Sequence, residues 1–211
     1  MRLLPTSELL GSPRMTSWMR APFLVACVAV LGCGASKPTA SDSATAIVPI
    51  NLYPLRPGNA WSYDVNTGEP SSTLAVTRVE TVDGSIATVR TGKASVKYEI
   101  REDGIRVVSE GAWLFRAPFE EGASWPARGG RTGRLVSTEV SIETQAGSFT
   151  GCLEVVETGG KLELEVRTVY CPLVGPVAVD STMHSNVSDR AVSVHARLRG
   201  YDVTEGASLT P

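Results

Sequence analysis

From Trp61 onward, apolar and polar residues alternate in short runs broken by glycine. In "SVKYEIRE", Val96, Tyr98 and Ile100 fall on one face, with Lys97, Glu99 and Arg101 on the other. "LVSTEVSIE" sets Val136, Val140 and Ile142 against Ser137, Glu139, Ser141 and Glu143. "AVSVHARLR" sets Val192, Val194, Ala196 and Leu198 against Ser193, His195, Arg197 and Arg199. A period of two predicts half-buried antiparallel strands whose polar face meets water. Asp83-Gly84 and Asp103-Gly104 lie between such runs. They predict tight hairpins, because both residue types accept the positive φ that those turns need. In "TLAVTRVETV" the apolar parity changes near Arg78, as a β-bulge would cause. The pattern yields about ten strands and no amphipathic helix after residue 45. It predicts an all-β domain, either an antiparallel sandwich or an open, curved barrel. "FEEGASWPARGG" and the stretch around "STMHSNVSDR" read as its longer loops.

The N-terminus follows a different pattern. The run from Ala21 to Gly32 is apolar over 12 residues, short of the roughly 20 that a membrane-spanning helix needs. Arg2, Arg14 and Arg20 precede it, opposed only by Glu8. A basic segment followed by a short apolar run predicts a secretory signal peptide over residues 1–32. A start at Met15 or Met19 would give a more compact leader than one at Met1. The segment "GASKPTASDSATA" has almost no large apolar side chain, so residues 33–46 read as a flexible tether and 47–211 as a single β-rich domain. The alternatives are a buried N-terminal helix, or a leader cut near Ala35 without lipid. The tether's composition argues against a helix that continues into a core.

Val30-Leu31-Gly32-Cys33 resembles the lipobox of bacterial lipoproteins. The resemblance implies that the Cys33 thiol is diacylated and that the bond before it is then cut, with Gly32 as the small residue the peptidase requires. Leu31 departs from the small residue usual one position earlier. Leu24-Val25-Ala26-Cys27 also fits the pattern, but a cut there would leave almost no apolar region after Arg20. Cys33 is therefore the expected lipidation site. Its covalent acyl lipid, of the palmitate type, is the only cofactor-like group expected. Two acyl chains hold a protein stably on a bilayer, whereas one binds only marginally. Gly34 stands where an aspartate would, by the family's sorting rule, favour inner-membrane retention. The resemblance thus implies a cell-envelope protein on the outer membrane.

Composition adds three constraints. The full chain holds 20 Lys and Arg against 22 Asp and Glu, and removing the leader leaves 179 residues with 17 basic and 21 acidic side chains, a net charge of −4. That balance offers no electrostatic footing for nucleic acid. Cys27 leaves with the leader and Cys33 carries lipid. Cys152 and Cys171 then remain as an even pair in an oxidising compartment, expected to be bridged. With the chain turned at Gly159-Gly160, alternation puts both on the polar side of their strands. A two-residue turn there would set Cys152 opposite Arg167 and leave Cys171 four residues beyond. A disulfide needs Cα atoms within about 7 Å, so the connection must be longer or bulged. Free thiols or a metal pair are the alternatives. With only His184 and His195 and no Cys-x-x-Cys, no metal site is expected.

"YPLRPGNAWSYDV", Tyr53 to Val65, resembles the opening of a loose set of uncharacterised bacterial secreted proteins and lipoproteins. That set pairs it with a later Gly-x-x-Trp, matched by Gly122 and Trp125, and with Ala-Gly-x-Phe-x-x-Cys, matched by Ala146, Gly147, Phe149 and Cys152. Its closing Tyr-x-Pro-x-x-Gly-x-Val is echoed by Tyr170, Pro172, Gly175 and Val177. The resemblance implies a β-rich envelope domain and carries no activity. Pro176 departs from the expected small or aliphatic residue and is expected to shorten the last pairing strand. Trp61, Tyr63, Trp113, Phe115 and Trp125 are large anchors that fill space between sheet faces. The functional alternative is that they line a ligand cavity.

No Gly-x-Ser-x-Gly and no phosphate-cradling glycine loop occurs. His195 falls on a polar strand face, and His184 in a loop, where only Asp180 or Asp189 with some serine would complete a triad in space. "ARGGRTGR" is the one basic patch and reads as a hairpin loop. The expectation is therefore a non-catalytic, lipid-anchored envelope protein that acts in binding or assembly, its partners the membrane and another envelope protein. The alternative is a carrier or sensor of a lipid or other hydrophobic ligand held in a barrel cavity. A cavity of several hundred cubic ångströms favours the carrier. A filled core with a flat apolar patch favours assembly.

Overall fold

The computed structural model describes residues 47–161, 163–184 and 191–204; the leader, Cys27, Cys33, the tether and Asp189 lie outside the described residues. One helical turn, α1 (Pro49–Leu52), precedes β1 (Ala60–Asn66), β2 (Thr73–Asp83), β3 (Ile86–Thr91), β4 (Ala94–Arg101), β5 (Gly104–Val107) and β6 (Ala112–Arg116). Then follow β7 (Ser124–Pro126), β8 (Arg131–Thr144), β9 (Gly147–Gly159), β10 (Leu164–Cys171), β11 (Gly175–His184) and β12 (Ala191–Asp202). Among the described residues these 12 strands form one antiparallel sheet, in the order β6-β5-β4-β3-β2-β1-β12-β11-β10-β9-β8-β7. Consecutive strands therefore pair except β6 with β7, β1 pairs with β12, and the two edges β6 and β7 pack together. The sheet is a nearly closed barrel, which leaves little open edge.

The alternation seen in the sequence orients the long strands. Three of the twelve strands are short: β5, β6 and β7 span 4, 5 and 3 residues. "FEEGASWPARGG" is accordingly more than a loop, since it carries β7 and a 3-10 turn at Arg128–Gly130. The parity change in β2 is a register slip between Val79 and Thr81, two residues beyond Arg78. The β2–β3 hairpin turns at Gly84, with φ 56°. At the second Asp-Gly the turn instead falls on Glu102-Asp103, and Gly104 already belongs to β5. Glycine is needed there for closeness: a Cβ on Gly104 would lie 2.3 Å from the Phe115 carbonyl oxygen of β6.

Cys152 and Cys171 are bridged, with Cα atoms 4.3 Å apart. The pairing Leu153↔Tyr170 sets the two cysteines opposite one another, and the chain between Gly159 and Leu164 supplies the extra length. Their expected wet placement is corrected: both are buried, at 0% and 2% exposure. The tip of the long β8–β9 hairpin leans back on β12, where the Ala146 N–H donates to the Leu198 carbonyl at 3.3 Å and the Phe149 ring lies 6.2 Å from that of Tyr201.

The opening and closing motifs meet in space. Leu52, Tyr53 and Leu55 are buried, and α1 packs on β4, β5 and β11. The Asn59 side chain donates to the Pro54 carbonyl at 2.7 Å and accepts from the Thr204 N–H at 3.0 Å, tying the segment before β1 to the residues just after β12. Trp61 Nε1 donates to the Val174 carbonyl at 2.6 Å, and the Tyr63 hydroxyl to the Pro176 carbonyl at 2.8 Å. Gly175 has φ 106°, and a Cβ there would lie 3.1 Å from Trp61 Nε1. Pro176 does not shorten its strand. It pairs with Tyr170 at a bulge, and β11 continues for 10 residues.

Candidate functional site

The two halves of the barrel are packed differently. On the β5–β10 side the interior is filled by large groups: Phe115 and Tyr170 lie 4.9 Å apart, with Leu135, Leu153 and Val155 buried around them. On the side of β1–β4, β11 and β12 the inward positions carry small residues. Ala75, Ala94 and Ala196 alternate with valines there, and Val65, Ala196 and Val179 form one row across three paired strands. Short side chains on a wide barrel leave space. A cavity of about 390 Å³ results, within the ordinary range for small-molecule sites. It runs from Tyr53, Tyr63 and Tyr98 to Thr91, Ala94 and Val194, close to the β3–β4 turn and the start of β12.

Its polar groups are hydroxyls, with no charged side chain among the described lining residues. Thr77 and Thr91 face each other on paired strands, their Oγ1 atoms 2.8 Å apart. Burial pushes the Tyr53, Tyr63 and Tyr98 hydroxyls above the ordinary tyrosine range, so they stay neutral. Two ion pairs lie beyond its tyrosine end, while the exposed Lys93 stands in the β3–β4 turn between Thr91 and Ala94. Glu157, raised by burial, is bound by Arg131 at 2.8 Å, and Arg128 lies 3.5 Å from Glu110.

Of the five aromatics singled out in the sequence, only Tyr63 lines this cavity. Trp61 and Phe115 are core residues, each 1% exposed. Trp113 lies on the β5–β6 hairpin between two arginines, with the Arg116 guanidinium 4.8 Å and that of Arg106 5.9 Å from its ring. Trp125 packs on Gly133, where a Cβ would come within 2.4 Å of its Nε1. Sequence reasoning missed Tyr53 as a lining residue. It did place Tyr98 with Val96 on one strand face, which is the signal that could have found it.

A larger, polar groove of about 780 Å³ lies outside the barrel beside the β1–β2 connection and the start of β12. Of its lining residues, Arg197 donates to Asp180 of the neighbouring strand at 2.7 and 3.0 Å, and His195 Nδ1 lies 2.6 Å from the same carboxylate. Partial burial opposes ionisation of Asp180, but these partners outweigh it and hold the carboxyl below its ordinary value. Asp64 is likewise bound by Arg199 at 3.1 Å. The loop placement expected for His184 is corrected, since β11 runs through it, and it is His195 that meets Asp180. The one acid among its described lining residues, Asp64, and the adjacent Asp180 are both held by arginines, which makes the apolar cavity the better candidate. "ARGGRTGR" is not a free basic loop either: Arg131 opens β8 and pairs inward with Glu157.

No protein-family model matches the sequence, and no curated protein is similar to it. Among solved structures, one described as an exported protein with a YmcC-like fold, from Bacteroides fragilis, shares 12% identity at a TM-score of 0.45, over 70% of this chain and 96% of that one. Another, described as a lipoprotein from Parabacteroides distasonis, shares 15% identity at a TM-score of 0.43, over 72% and 98%.

Proposed function

We propose that this chain is a carrier or sensor that holds a small hydrophobic ligand inside its barrel while Cys33 anchors it by lipid in the cell envelope, on the outer membrane. The observation that carries the reading is the 390 Å³ cavity, walled by alanine, valine and tyrosine where the rest of the barrel interior is filled. Burial of a ligand's apolar surface against such walls supplies the driving force, about 25 cal/mol per Å². The role is binding rather than catalysis, because the cavity offers neutral hydroxyls to orient a ligand and no acid–base pair. An assembly role would instead call for a filled core and a flat apolar patch.

Mass spectrometry of the protein purified from native membranes tests this. The intact mass is expected to begin at Cys33 with added acyl chains and a Cys152–Cys171 bridge. Unfolding is expected to release a small apolar molecule in stoichiometric amount. A mature chain that retains residues 1–32 without lipid mass would overturn the anchoring. A domain that neither releases nor takes up any apolar molecule would overturn the carrier reading.

A further inference from the structure

We propose that the cavity holds one single-chain amphiphile tail-first, its polar head left in water at the β3–β4 turn. The inference rests on the carrier reading and names the ligand class for the same site. Burial of the lining is graded from one end to the other. At the tyrosine end, Tyr53, Tyr63 and Tyr98 are 5%, 7% and 9% exposed. Val65, Ala75, Val96 and Ala196 are half-buried, and Thr91 and Ala94, on either side of the β3–β4 turn, are exposed. A cavity shut at one end and open to water at the other fits a molecule with one apolar and one hydrated end.

Size limits the tail. At interior density an alkyl carbon takes about the room of a water molecule, roughly 30 Å³, so 390 Å³ holds a tail on the order of ten carbons. Two long acyl tails do not fit. Chemistry sets the direction. The described lining carries no charged side chain, and the Tyr63 hydroxyl already donates to the Pro176 carbonyl. A polar head carried to the tyrosine end would give up its hydration for little return. At the rim of Thr91 and Ala94 it keeps that hydration, whatever its charge. Lys93, exposed in the turn between them, adds a weak, salt-screened attraction for an anionic head.

Displacement of the fluorescent dye N-phenyl-1-naphthylamine from the full chain tests this. Across straight-chain carboxylates from hexanoate to hexadecanoate, affinity is expected to rise about fourfold per added methylene and to level off at roughly ten carbons. Val89→Phe, which narrows the path beside Val96, is expected to move the levelling to shorter tails. Tyr98→Ala, which lengthens the tyrosine end, is expected to move it to longer ones. Ionised decanoate and 1-decanol are expected to bind within about tenfold of each other, because neither head is buried. Lys93→Glu is expected to weaken decanoate about threefold at low salt and to leave 1-decanol unchanged. Ala196→Phe, and independently Ala75→Phe on another strand, are expected to abolish dye binding while the chain stays folded by circular dichroism. A levelling that neither Val89→Phe nor Tyr98→Ala moves overturns the direction of the tail. A wider gap between decanoate and 1-decanol, or decanoate binding indifferent to Lys93→Glu, overturns the place of the head. Carboxylates that fail to displace a dye blocked by Ala196→Phe and Ala75→Phe overturn the amphiphile and leave the cavity as the site. Dye binding that neither of those two variants reduces overturns the carrier reading itself.

Discussion

Ala196→Phe has a second consequence that needs no ligand. Ala196 lies on β12 between Val65 and Val179 and faces the cavity. A benzyl group there would fill roughly 100 Å³ of the space, at about 24 cal/mol per Å³, for a gain near 2.4 kcal/mol. Counted by area, about 100 Å² of added apolar burial at 25 cal/mol per Å² gives about 2.5 kcal/mol. Fixing the new side chain costs about 0.5–1 kcal/mol. The net expectation is a stabilisation of about 1.5–2 kcal/mol. Val155→Phe puts a larger side chain into the filled half, where Val155 is 1% exposed, and over-packing there costs about 1–3 kcal/mol. Urea unfolding of ligand-stripped protein, with the disulfide intact and the slopes compared, reads both variants. Opposite signs support the account. Equal destabilisation by the two would refute the claim that the β1–β4 side of the barrel is open.

Three further outcomes follow from the packing. Replacing Cys152 and Cys171 together by alanine removes a cross-link spanning 19 positions, and loss of loop-closure entropy alone is expected to cost about 3 kcal/mol in denaturant unfolding. Gly104→Ala forces β5 away from the Phe115 carbonyl and is expected to destabilise by about 2–4 kcal/mol, whereas Gly92→Ala, at φ 58° with open space around it, costs about 1 kcal/mol; thermal unfolding separates them. The Asp180 carboxyl is depressed in the folded state, so its stabilising contribution is present above the unfolded-state value and is lost as pH falls through the folded one. Asp180→Asn is expected to be less stable at neutral pH and to lose part of the acid-side slope of stability against pH.

The all-β class and the faces of the long strands were legible because each exceeds six residues and one side is wet. β5, β6 and β7 were not, since 4, 5 and 3 residues are too few to display a period. The joining of the two runs of strands into one sheet depends on β1 pairing with β12, strands far apart in sequence whose contact no local pattern encodes. The cysteine register was readable as a constraint: the four-residue excess at Gly159-Gly160 demanded a longer connection, and the chain has one. Their burial was not readable, because alternation describes a single sheet and not what folds over it. Of the motif aromatics, Trp61 and Tyr63 bond the Val174 and Pro176 carbonyls, and Tyr63 also lines the cavity. The cavity is a difference in side-chain size between two halves of a barrel. Ala75, Ala94 and Ala196 become neighbours only once the strand order is known.

The most direct test of the carrier claim is methyl-resolved NMR of the full chain titrated with 1-decanol. The account predicts shifts at Val65, Val89, Val96, Val179 and Val194, which line the cavity, and silence at Leu135, Leu153 and Val155 in the filled half. Shifts spread evenly over both sets, or none at saturating alcohol, would contradict it.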